Sequence, residues 1–600
     1  MTAAFCCDWG MKRLFRAVCL FSWLIAAYSF AGSATWNLNP ISGDWNTAEN
    51  WTPNTVPNSE TDVATFGTSA VTEVSLTNTT IDLGSMVFNP GANGFTITGA
   101  DAGLDFFGDG IINDSGEVQQ FVIGSDVGFS FHNSARAGDA TAYSVSGFAS
   151  IFFFDTSSAG TANFTASNDS AYPAIYFLGD STASNATFNI LPGATLFFGL
   201  SNSTPASGTY MITGGRMVVQ SGVAHNSTIV CTQGGQVAIS VFASGSDSTI
   251  DCSQGGEVHF YGTSGGRAEI TAEGGTASDN DPGRINMFGG ANGDHATFVV
   301  EGGMGDRVSG ATMSMHSVST GGNAQITVNG GTSGGEGGSI QFGEESDGGN
   351  ASVTMSGNAT LDISQHDPGS GVTVGSLAGQ GLVLLGSNQL SLGKNNLSTT
   401  FSGVIRNTGS LTKLGSGILT LGNASTYTGG TTVSGGALRA SNPSGSATGS
   451  SLVRVDTGSL GGEGIIAGPV TLGTGSGTGA FLVPGVGAST PATLTMQSSL
   501  TFKADGTYTY KLNTKRANAD QVIANGVTIE NGAQFDLTAT GNQKLTVGTV
   551  FTAISNTAAT PISGTFGNLP DHSAITAGRN TLEVSYEGGD GNDLTLTVVL

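Results

Sequence analysis

The chain has 600 residues, of which Lys, Arg, Asp and Glu make up only 10% while Gly supplies 94, and its formal net charge is −25. That balance excludes nucleic acid and anionic membrane surfaces as partners, because neutralising phosphates takes clustered Lys and Arg, and after Lys12 the next lysine is Lys394. It does not exclude a packed core, since apolar residues reach 38% with 32 Phe, more than a disordered chain carries.

Residues 1–34 read as an export signal. Lys12, Arg13 and Arg16 give a positive start, Ala17 to Phe30 an apolar stretch, and Ser29-Phe30-Ala31 or Gly32-Ser33-Ala34 a small-x-small cleavage pattern. About fourteen apolar residues are too few to span a bilayer, and no later stretch is long and apolar enough for a transmembrane helix. Residues 35–70 hold all three mature tryptophans, Trp36, Trp45 and Trp51. They suit either a sugar-stacking platform or a hydrophobic plug, and the repeats that follow need a plug, because the open end of a repeat stack must be capped.

From 71 to 370 helix signals are nearly absent, and short alternating strings are bounded by Gly, Asn, Asp and Ser. A β string followed by Gly-Gly recurs: GTYMITGG at 208–215, STIVCTQGG at 227–235, STIDCSQGG at 248–256 and AEITAEGG at 268–275, then ATFVVEGG at 296–303 and AQITVNGG at 324–331. The second Gly falls at 215, 235, 256, 275, 303 and 331, spacings of one solenoid coil each. Second strings behind the turns, at 258–262, 285–289 and 340–343, give each coil at least two strands on different faces. The expected fold is all-β: a right-handed parallel β-helix (β-solenoid) with an N-terminal cap and a C-terminal β module. Cys231 and Cys252 fill one slot in adjacent coils. Stacked about 4.8 Å apart they satisfy the Cα separation of a disulfide, and two buried thiols in a ladder are the alternative.

Residues 411–441 read LTKLGSGILTLGNASTYTGGTTVSGGALRAS. This segment resembles the autotransporter-associated β-strand repeat of bacterial passenger proteins at Lys413, Gly415, Gly417, Tyr427, Gly429, Gly430, Val433 and Leu438, among others. The flanks are similar to the same family: Gly375 to Gly381 and Phe401 to Ile405 before it, Leu460 to Gly464 and Pro484-Gly485 after it, the close from Tyr586 to Leu594, and the Trp-rich start. Residues 371–490 are thus expected to be solenoid carrying this repeat, with Gly429 and Gly430 in its turn, and 491–600 a capping module. The resemblance implies an extracellular or cell-surface, adhesin-like rod. The outer-membrane barrel or sorting anchor that the family often carries is not recognised here.

Candidate chemistry is sparse. Gly588 to Asp593 matches most of one calcium-binding nonapeptide, but such sites need neighbouring copies, and the Asp279-Asn280-Asp281 loop reads as a solvated insertion. Gly262 to Gly266 and Gly331 to Gly335 satisfy G-x-S-x-G in Gly-Ser loops, without the strand-to-helix turn of a nucleophile elbow. His132, His225, His259, His295, His316, His366 and His572 show no metal-ligand spacing. The expectation is a rod without catalytic activity, cofactor or metal, monomeric, with an extracellular polysaccharide or cell-surface ligand as partner. A polysaccharide lyase or glycosidase and a non-catalytic glycan binder are the alternatives, because the fold alone does not decide function. Exposed aromatic ladders would favour the glycan binder.

Overall fold

The computed structural model describes residues 32–600 except 100–101, 125, 168–173, 200–201, 224, 245–246, 478 and 486–490, with the side chains of 221–223 and 241–244 also undescribed. The signal-peptide reading therefore lies outside the described residues but for its last three. The described chain is a parallel β-solenoid of about 19 turns with almost no helix. At about 4.8 Å per turn the stack is about 90 Å long.

Two ladders of strands run up the rod. The first sheet stacks parallel strands from Ala34–Trp36 to Val404–Arg406, and the second starts at Glu73–Leu76 and runs on through Gly506–Asn513 to Gln534–Thr540. The parallel stack thus continues well past residue 490, where the terminal module was expected to begin. A third ladder opens at Val372–Val374 and runs to Val527–Ile529. Antiparallel pairing closes the far end, where Val550–Asn556, Asp593–Val598, Asn580–Gly588 and Ala574–Ala577 follow one another in a seven-stranded sheet.

Register explains the core. Pairing is in phase from turn to turn, so each inward position becomes a column. Phe106, Phe131, Phe153, Phe177 and Phe198 stack in the first sheet at centroid spacings of 5.2, 4.9, 4.5 and 4.7 Å. Opposite them Phe121, Tyr143, Phe164, Phe188 and Tyr210 stack at 4.8, 4.7, 4.9 and 5.2 Å. The columns meet edge-on, as at Phe153 and Phe164, 6.0 Å apart and 82° between planes, the arrangement that ring quadrupoles favour. Beyond residue 216 the same columns continue in Val219, Ile239, Phe260 and Met287, and in Ile229, Ile250 and Ile270.

The Gly-Gly turns work by two devices. Gly234 has φ +73°, the left-handed region open to glycine, while a Cβ on its neighbour Gly235 would sit 2.2 Å from the Ile212 carbonyl oxygen of the turn below. Corner length then sets coil length. Four residues, 253–256, join Thr249–Cys252 to Glu257–Tyr261, whereas eleven, 273–283, join Glu269–Ala272 to Arg284–Phe288, and the next turn repeats this with 301–311. These wide corners also stack in register, through bridges from Thr276 to Met304 and from Met304 to Thr332.

Trp36, Trp45 and Trp51 sit buried inside the first turn. Trp51 packs edge-on against both of the others, at 5.0 and 4.7 Å, and all three rest on Phe66. Each indole N–H reaches a carbonyl, of Val71, Pro57 and Trp45 respectively. With no exposed face they offer no sugar platform.

Candidate ligand-binding face

Outward positions line up as strictly as inward ones, and on the first sheet several carry rings. Phe107, His132 and Phe154 form one outer column, with centroids 4.6 and 4.9 Å apart, and Phe152 and Tyr176 lie beside it at 4.7 Å. Four turns beyond Tyr176, Tyr261, Phe288 and His316 form another, at 5.4 and 4.9 Å. Planes in these columns lie within 14° of parallel, so the ring faces cover one another and the edges meet solvent. A sugar laid flat on a ring therefore finds little room except where a column breaks, as at Phe197, whose ring stands 66° from that of Tyr176. The sequence reading missed these columns, although Phe152-Phe153-Phe154 signals one ring in and two out.

Two hollows adjoin this face. The smaller, about 430 Å³, is bounded by Asp109, Asp114, Arg136 and Asp139. The larger, about 600 Å³, spans four turns between the wide corners and the start of the first-sheet strands, at Asp281, Arg284, Thr312, Glu336, Ser339 and Thr360. Beside it an ionic chain runs along the surface: Arg284 bonds Glu257 at 3.2 Å and Asp281 at 2.8 Å, and Glu257 also meets the His259 ring at 3.0 Å.

Ser264 of the first G-x-S-x-G donates to Asp294 at 2.9 Å, and Asp294 meets His295 at 2.6 Å. The carboxylate thus stands between hydroxyl and imidazole, so the imidazole does not touch the serine, the reverse of the order in which an acid orients a histidine base on its nucleophile. Asp251, Glu273 and Glu301 lie on the outer side of the second sheet and line neither hollow. Burial, then the neighbouring Asp251 and Glu301 carboxylates, push Glu273 above its usual range. Asp593 of the nonapeptide-like close accepts the Asn556 N–H at 2.9 Å, and no group of three or more His, Cys, Asp or Glu suited to a metal occurs among the described residues.

Cys231 and Cys252 are register partners, both fully buried, and stand as free thiols. Their mutual hydrogen bond, then burial, push the Cys252 thiol well above its ordinary range, which makes it a poor nucleophile. In the 411–441 segment Gly430 takes φ +88°, and a Cβ on Gly429 would meet the Gly409 carbonyl oxygen at 2.4 Å. Lys413, 1% exposed, turns inward and donates to the carbonyls of Leu414, Gly415 and Gly435, its pKa lowered by burial. This motif lysine closes the corner of a coil rather than serving a ligand. Among the described residues no helix is long and apolar enough to cross a membrane.

Residues 411–440 match the passenger-associated-transport-repeat family model. The Adhesin BmaC autotransporter of Brucella suis biovar 1 (strain 1330) is 39% identical over 108 residues, 18% of this chain and 3% of that protein, so the chain spans a small part of its relative's length. A solved structure, the Haemophilus influenzae Hap adhesin, aligns over 90% of this chain and 64% of its own at 12% identity, with a TM-score of 0.29. Residues 411–440 are thus a repeat of the passenger-associated-transport type, set within a stack of parallel β-coils.

Proposed function

We propose that the protein is an exported, cell-surface or secreted adhesin-like rod, which holds a lateral binding face away from the cell and performs no catalysis. The observation that carries this is the outer face of the first sheet. It is rigid because the strands that carry its rings are paired on both sides, it is ordered in register, and it is lined by ring edges and polar groups rather than by a nucleophile and base. Support for the surface setting comes from the passenger-type repeat and from the adhesin relative. A lyase is disfavoured by the scarcity of lysine, since residues 35–393 contain none.

The test is to express residues 35–600 and incubate them with bacterial, algal and host polysaccharides, measuring both retention and the release of reducing or unsaturated ends. Retention without release is the expected result. Release would overturn the non-catalytic reading and direct attention to Asp251, Glu273 and Glu301.

A further inference from the structure

We infer that the 600 Å³ cleft over the wide corners is a binding site for an uncharged oligosaccharide lying along the solenoid axis. This rests on the adhesin reading and names its ligand class. The volume falls within the range of small-ligand sites. Four turns span about 14 Å, room for two or three hexose units in extended form.

The chemistry of the lining selects the ligand. The first outward residues of successive strands, Arg284, Thr312, Ser339 and Thr360, are register partners and form a straight row. The next outward row supplies Asn286 and Gln341. The Thr312, Ser339 and Thr360 hydroxyls, both amides and the Glu336 carboxylate have no hydrogen-bonding partner among the described residues. They recur at about 4.8 Å along the axis and about 6.6 Å across it, a lattice of donors and acceptors suited to a chain of hydroxyl groups. Arg284, the cation on this wall, is already paired with Glu257 and Asp281. A uronate or sialylated chain therefore meets carboxylates and no unpaired cation among the residues lining the cleft, on a protein of net charge −25. A peptide is served no better: strands here are paired on both sides, so none is open to β-addition, and the lining offers no apolar pocket for an anchoring side chain. The ring edges of Tyr261, Phe288 and His316, two positions along from the Asn286 row, add an apolar shoulder for sugar C–H groups.

Isothermal titration of the 35–600 protein with cellohexaose, xylohexaose, mannohexaose, maltohexaose and hexagalacturonate tests the inference. Ser339→Arg and Thr312→Arg fill the cleft from outward positions, and Thr297→Arg on the second sheet is the control. At least one neutral hexasaccharide is expected to bind, to lose about tenfold or more in affinity in either cleft variant, and to be unaffected in the control. Circular dichroism checks that the variants fold. Equal binding in cleft and control variants, or tightest binding of hexagalacturonate, overturns the cleft assignment. If the rod is retained on a surface polysaccharide while no neutral hexasaccharide binds, the cleft inference falls and the adhesin reading stands. If nothing retains the rod, both fall.

Discussion

The turns between Phe106 and Tyr210 and those between Met217 and Ile405 are built on one plan and filled in two ways. The first set stacks aromatic rings in two continuous columns, whereas the second holds Met, Val, Ile, Leu and the Cys231–Cys252 pair, with Phe only at separated positions such as Phe260, Phe298 and Phe342. Backbone register is the same in both, so the coil does not need the rings. What stacked rings add is cohesion along the axis, since each pair contributes about 0.5–1.5 kcal/mol beyond its buried area.

Removing a ring from the middle of a column tests this most severely. Phe153→Ala is expected to destabilise its coil by about 4 kcal/mol, read as lost hydrogen-exchange protection in the strands on either side, because solenoid turns open locally. A sharper contrast comes from Phe153→Leu against Phe260→Leu. Phe153 has stacked rings at 4.9 and 4.5 Å, while Phe260 lies between Ile239 and Met287, and each also meets one ring edge-on. The cost of the first should exceed that of the second by about 1–3 kcal/mol, two stacked pairs' worth. Equal costs would mean that the columns contribute burial alone.

Acid separates the two regions more gently. Burial raises the pKa of Asp251 and of Glu273 in the aliphatic turns. A carboxyl whose folded pKa is raised lends its stability below the unfolded value and loses it as pH climbs through the folded one. Lowering the pH from about 7 to about 4.5 should therefore strengthen exchange protection around these residues, and Glu273→Gln should give part of that gain at neutral pH. Loss of protection on acidification would reverse the sign. The smallest signal is chemical. The folded protein should resist thiol reagents at Cys231 and Cys252, and mass spectrometry after denaturation should find two alkylated cysteines if they remain free thiols, or none if they have joined during export.

The coil rhythm was legible where glycine pairs punctuate it, because Gly235 has no room for a Cβ and such sites cannot drift in sequence. Upstream, where corners use Asn, Asp and Ser, the rhythm went unread, although Phe131, Phe153, Phe177 and Phe198 mark it once per coil. The outer columns and the cleft were harder to see. They depend on which of two alternating faces a residue takes and on which corners stack, and neither is stated by one coil's sequence in isolation. Lys413 shows the same limit: its letter suggests a solvated cation, yet its ammonium is folded inward on three carbonyls.

The wide corners bear on how such a rod diversifies. Lengthening a corner from four residues to eleven leaves the rungs before and after it in phase, and the added residues stack into a wall. A new recess can thus arise by insertion, with no change to the core columns. Among related rods, differences in what is bound should then track corner length more closely than substitutions within the strands.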